Sequence, residues 1–147
     1  MKRVSVIIIL IVVFALLSAC GAAPIVNNNT AKKTAYELAQ LPLPSSTELL
    51  ETVYKAGKLV GNGNGMQYFG AILIESELSL EELKEYYLQF AESEWECVVE
   101  HQVDADVKII EHGVLAFKTD VEGENYYIVY SWGHGNAFFS EFDIRGH

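Results

Sequence analysis

The chain has 147 residues, with 20 Asp and Glu against 10 Lys and Arg, a formal net charge of −10, and half of its residues hydrophobic. A surface of that sign repels phosphate backbones and argues against nucleic acid as a partner. The length suits one small domain around one core.

Lys2 and Arg3 supply a positive end, Val4 to Leu17 is apolar apart from Ser5, and small residues run from Ser18 to Ala23. That order is a secretory signal peptide, whose positive end stays on the cytoplasmic side while the apolar stretch enters the export machinery as a helix. The stretch is shorter than the ~20 residues of a comfortable membrane span. Extending it to Val26 gives the competing reading, an uncleaved signal anchor. Against that stands the tetrad Leu17-Ser18-Ala19-Cys20 with Gly21 next. It resembles, at all four positions, the lipobox of bacterial lipoproteins. The resemblance covers the first two dozen residues. It implies a diacylglyceryl group on the Cys20 sulfur and cleavage between Ala19 and Cys20, so that residues 1–19 are removed. A further acyl chain such as palmitate on the new amino end would strengthen the hold. It also implies a place on the extracytoplasmic face of the cell membrane, or on the outer membrane of a Gram-negative cell. Two acyl chains anchor a protein stably where one is marginal.

Loss of Lys2 and Arg3 leaves a mature charge of −12, which keeps the domain away from anionic headgroups and leaves the acyl chains to hold it. With Cys20 used by lipid, Cys97 has no partner for a disulfide. Residues 20–40 are expected to be the lipidated cysteine and a flexible tether. Gly21 to Lys33 has no hydrophobic period and contains Asn27-Asn28-Asn29-Thr30, and only Ala35 to Gln40 suggests a helical turn before Pro42 and Pro44. Residues 41–147 then form a single domain.

Within it, a strand is expected from Leu49 onward, with a helix from Ser46 to Tyr54 as competitor. Gly61-Asn62-Gly63-Asn64-Gly65 is a hairpin signal. Met66 to Glu75 is apolar on both faces, as in a central strand. Ser79 to Trp95 is the clearest helix, with Ser79 and Glu82 as a capping box and a stripe of Leu80, Leu83, Tyr87 and Phe90. Strand candidates follow at Glu96 to Gln102, Val114 to Lys118, Tyr126 to Trp132 and Phe138 to Ile144, with residues 103–113 ambiguous. The expected fold class is α+β: two layers, one helix packed on an antiparallel sheet, in the order β-β-α-β-β-β. From Leu41 to Ile144 this pattern is similar to small bacterial lipoproteins of unknown function, a diffuse likeness that brings no active site with it.

The chemistry-bearing constellations are weak. The glycine run lacks the Lys and the following helix of a phosphate loop. Glu100, His101, Asp104 and Asp106 lie close enough in sequence to suggest a divalent metal, but without calcium-loop or zinc spacing. Ser131, His134 and Asp143 are the residue types of a hydrolase triad without a nucleophile elbow. Cys97, flanked by Glu94, Glu96 and Glu100, reads as a small buried hydrophobe rather than a nucleophile.

The last two strands are crowded with aromatics, and one helix covers only one side of a sheet. Tyr127, Val129 and Phe139 are therefore the expected binding surface. The resulting expectation is a membrane-tethered, non-catalytic domain that binds an envelope protein or a small ligand and needs no cofactor beyond its covalent lipid. A metal-dependent module or enzyme on the Glu100–Asp106 segment is the alternative, and a structural envelope accessory is the third.

Overall fold

The structure, a computed structural model, describes residues 2–61, 65–91, 96–133 and 137–147, with side chains at all of these except 2–5, 15–20, 137 and 138. Its elements are α1 (Lys2–Ala39), β1 (Thr47–Gly57), β2 (Gln67–Ser76), α2 (Leu80–Leu88), β3 (Val98–His101), β4 (Tyr126–Gly133), α3 (Ala137–Ser140) and a 3-10 turn at Ile144–Gly146. The architecture is α+β, with an antiparallel four-stranded sheet in the order β1-β2-β4-β3.

The apolar runs decide which strands are central. Tyr68 to Ile74 of β2 are all buried, as expected for a strand with neighbours on both edges and cover on both faces. β1 pairs with it from Thr47↔Ser76 to Gly57↔Gln67, with a bulge at Leu50. β4 takes its other edge, from Tyr68↔Gly133 to Glu75↔Tyr126, and β3 closes on β4. The Asn62-Gly63-Asn64 turn lies outside the described residues.

One face of the sheet carries Ile72, Ile74, Val99, Tyr127 and Val129, packed under Leu38 of α1 and Leu83 and Tyr87 of α2. α2 begins as expected: the Glu82 backbone N–H donates to Ser79 Oγ (3.3 Å) and the Ser79 N–H donates to Glu82 Oε2 (2.8 Å). It is shorter than predicted; residues 92–95, including Trp95, lie outside the described residues.

The segment expected to be a flexible tether is instead the second half of α1. Ala23, Asn27, Ala31, Thr34, Ala35 and Leu38 are buried on the sheet. Their spacing is helical, and the small side chains bring the helix backbone close. A Cβ on Gly70 would lie 2.3 Å from the Ala35 nitrogen.

The opposite face holds Val53, Phe69, Ala71, Leu73, Ile128 and Tyr130. It is covered without a helix. The long connection from β3 to β4 lays Val107, Ile110, Phe117 and Val121 over it. This connection is tied down by hydrogen bonds. The Glu51 carboxylate accepts from the Lys118 N–H (2.7 Å), the Thr119 N–H (3.0 Å) and the Thr119 hydroxyl (3.1 Å). Gln102 Nε2 donates to the carbonyls of Asp104 (2.8 Å) and Asp106 (3.0 Å). The candidate strand 114–118 is reduced to a single bridge, Asp106↔Ala116. The expected last strand, 138–144, is replaced by α3 and the following turn, because both edges of β4 are already paired.

Candidate functional site

The lipobox falls inside α1. The side chains of Ala19 and Cys20 lie outside the described residues, but α1 changes character around them. Before them, Val6 to Phe14 are apolar and 45% to 74% exposed; after them the first fully buried side chain is Ala23. Pro24 sits within the helix and has no N–H to offer the Cys20 carbonyl. Among the described residues no helix is long and apolar enough to cross a membrane.

The expected binding surface does not form. Tyr127 is 4% exposed and Val129 is fully buried. Both lie in the core that α1 and α2 cover. The Tyr127 hydroxyl donates to the Leu78 carbonyl (2.9 Å), and its ring lies 4.7 Å from that of His101. Phe139 is half-buried in α3, where its carbonyl accepts from Asn27 (3.3 Å). The alternation along β4 is as predicted. What the sequence concealed was the helix that covers Tyr127 and Val129.

The four residues of the candidate metal site, Glu100, His101, Asp104 and Asp106, border one small cavity of about 140 Å³ but do not converge on a common point. Glu100 and His101 are successive residues of β3 and alternate across it. Burial first, then the nearby Glu100 carboxylate, raises the pKa of the Tyr130 hydroxyl. Asp104 Oδ2 accepts from Lys108 Nζ (2.6 Å) and Oδ1 from the Asp106 N–H (2.9 Å). These bonds hold the Asp104 carboxyl below its usual pKa range. Among the described residues no three His, Cys, Asp or Glu side chains converge as metal ligands.

Ser131 and Asp143 do not form a catalytic set either. Ser131 is fully buried, with no described partner for its hydroxyl, and His134 lies outside the described residues. Replacing Ser131 by Ala removes an unsatisfied buried hydroxyl. It is therefore expected to leave the thermal midpoint unchanged or to raise it by up to about 1 kcal/mol of stability, as read by circular dichroism melting. Cys97 is half-buried and free, and burial pushes its thiol up to about 12, the opposite of an activated nucleophile.

A cluster that sequence reasoning did not find joins the two ends of the chain. Asn27 Nδ2 donates to Asp143 Oδ2 (2.8 Å), and the Tyr68 hydroxyl donates to Asn27 Oδ1 (3.0 Å). Arg145 grips Asp143 through Nε (2.9 Å) and Nη2 (2.6 Å). It also donates to Asn28 Oδ1 (2.8 Å) and the Pro24 carbonyl (3.2 Å). Burial alone would raise the Asp143 carboxyl, but the hydrogen bonds from Arg145 and Asn27 outweigh it and hold the carboxyl below its usual range. With both its oxygens occupied, this carboxylate is a clamp on α1 rather than an acid or base. No local motif announces it, since Asn27 and Asp143 are 116 residues apart.

Two larger open grooves lie among the described residues. One, of about 380 Å³, is lined by Glu48, Glu75 and Glu77 with Ser46, Ser76 and Asn125 at the end of the sheet where α1 finishes. The other, of about 390 Å³, lies on the opposite face and is mainly apolar, with Leu59, Val60, Ile109, Tyr130 and Trp132 in its wall and Lys108 at its side. Comparison with protein-family models, curated proteins and solved structures finds no match to this chain.

Proposed function

We propose that the chain is the precursor of a lipid-anchored extracytoplasmic protein, cut between Ala19 and Cys20, whose mature domain is a non-catalytic binding module. The observation that carries this reading is the change along α1. None of the described leader side chains, Val6 to Phe14, is buried, whereas the helix buries side chains from Ala23 onward. Cutting before Cys20 therefore takes away the exposed apolar surface of Val6 to Phe14 and none of the core side chains among the described residues. The groove in which half-buried Ile109 and Trp132 lie over the buried Leu59 and Tyr130 supports ligand or partner binding there, in place of the buried Tyr127 and Val129.

The second reading, an uncleaved signal anchor, is favoured by the unbroken run of α1 from Lys2 to Ala39. Intact mass and cell fractionation separate the two. For the lipoprotein, the native chain has lost 19 residues, gained a diacylglyceryl group and sediments with membranes, while Cys20→Ser keeps the uncut mass. A Cys20→Ser protein still cut at that bond and tightly membrane-bound would overturn the reading. An uncut native chain would establish the signal anchor.

A further inference from the structure

We infer that the mature domain stands directly on the bilayer, seated by the end of the sheet from which α1 emerges, with Ile25, Val60 and Ile144 entering the lipid interface. The inference rests on the membrane anchoring proposed above, but it concerns the orientation of the domain and not the chemistry of the anchor.

The first argument is length. Ala23 is already fully buried, so only Gly21 and Ala22 separate the core from Cys20. Even fully extended, the three steps from Cys20 to Ala23 span only about 10 Å. A domain held that closely touches the surface with one fixed end rather than swinging on a tether.

The second argument is what that end presents. Arg145 is bonded to Asn28 and to the Pro24 carbonyl, which places Ile144 beside the start of the packed helix. The Lys58 N–H donates to the Arg145 carbonyl and the Gly65 N–H to the Gly146 carbonyl, which brings the end of β1 to the same place. Ile144 is 86% exposed, Ile25 64% and Val60 61%. Nearby cations and anions are largely paired: Arg145 with Asp143 (2.6 Å) and Lys58 with Glu111 (3.2 Å). Glu141 and Glu111 are exposed acids of this end, the latter paired with Lys58.

The third argument is the opposite end. Glu48 and Glu75 face each other across β1 and β2. Glu77 lines the same groove, and Glu81, Glu82 and Glu124 surround Tyr127. An acidic end is repelled by anionic headgroups, while exposed aliphatic side chains with paired charges are not. Charge and hydropathy thus point the same end of the domain at the lipid surface.

Depth measurement in vesicles tests the orientation. The full-length protein carrying Val60→Cys, Ile144→Cys or Glu124→Cys, each tagged with a nitroxide, is reconstituted from cell membranes into phosphatidylcholine–phosphatidylglycerol vesicles. Collisions with dissolved oxygen and with an aqueous nickel chelate are then compared. Positions 60 and 144 are expected about 5–10 Å below the phosphates, with 124 fully accessible to the chelate. Equal aqueous accessibility at all three positions overturns the inference. The mass of the same samples reports separately whether Cys20 is lipidated. An unmodified, uncut chain whose tags still show the gradient would remove the lipoprotein reading and keep the seating. A lipidated chain without the gradient would do the reverse.

Discussion

A fragment beginning at residue 41 is expected to be unfolded, whereas one beginning at Gly21 folds cooperatively. The second half of α1 lays Ala31, Ala35 and the fully buried Leu38 on the sheet. Without it, Tyr68, Ile72 and Val129 face water. Loss of a side chain like that of Leu38 alone costs about 2–5 kcal/mol, and a domain of this size has about 5–15 kcal/mol in total. Gly70→Ala tests the same packing with one methyl. The new Cβ would lie 2.3 Å from the Ala35 nitrogen, 2.7 Å from its Cα and 2.8 Å from the Thr34 carbonyl carbon. These are backbone atoms and cannot swing aside as a flexible side chain would, so the cost is expected at about 3 kcal/mol or more. Urea unfolding followed by circular dichroism reads both. A 41–147 fragment with the midpoint of the 21–147 protein, or a Gly70→Ala variant with an unchanged midpoint, would show that α1 is not part of the folded domain.

What was legible in the sequence was local. The Ser79–Glu82 box and the two apolar faces of residues 66–75 are signals carried by neighbouring residues. Both appear as α2 and as the central strand β2. Beyond α2, the cover on the two sheet faces is not legible, because the segments that supply it are held in place by long-range polar bonds. Asn27 looks like a linker residue until Asp143 and Tyr68 satisfy its side chain. The 103–121 segment looks irregular until Glu51 of β1 collects its N–H groups. One faint signal was present: Ala23, Asn27, Ala31 and Ala35 recur every four residues, a helical stripe too small and too polar to register as hydrophobic.

The same limit governed the candidate site. Alternation places Tyr127 and Val129 together on one face of β4, as observed, but nothing local announces that α1 covers it, because residues 21–33 read as a tether.

Asp143→Ala is expected to cost about 3–5 kcal/mol, the penalty of removing one partner from a buried, hydrogen-bonded ion pair. Asp143 is 1% exposed. Its loss leaves the Arg145 guanidinium without its bidentate acceptor and Asn27 Nδ2 without its closest one. Asp143→Asn keeps an acceptor oxygen but not the charge, so its cost is smaller and depends on pH in a defined direction. The carboxyl is held below its unfolded value, chiefly by the Arg145 and Asn27 hydrogen bonds overcoming burial. The folded state therefore binds the proton more weakly than the unfolded chain. The stabilisation is complete above the unfolded pKa of about 3.9 and is lost as pH falls through the lower folded value. Asp104 and Glu82 are also held low and weaken the protein in the same range, so the native chain alone is uninformative. The difference between native and Asp143→Asn midpoints in urea cancels those contributions. That difference is expected to be constant from pH 7 to about 5 and to shrink below about 4. If it stays constant down to the lowest pH at which the protein folds, Asp143 is not an ionised clamp, and the hold of the chain's last residues on α1 must come from packing alone.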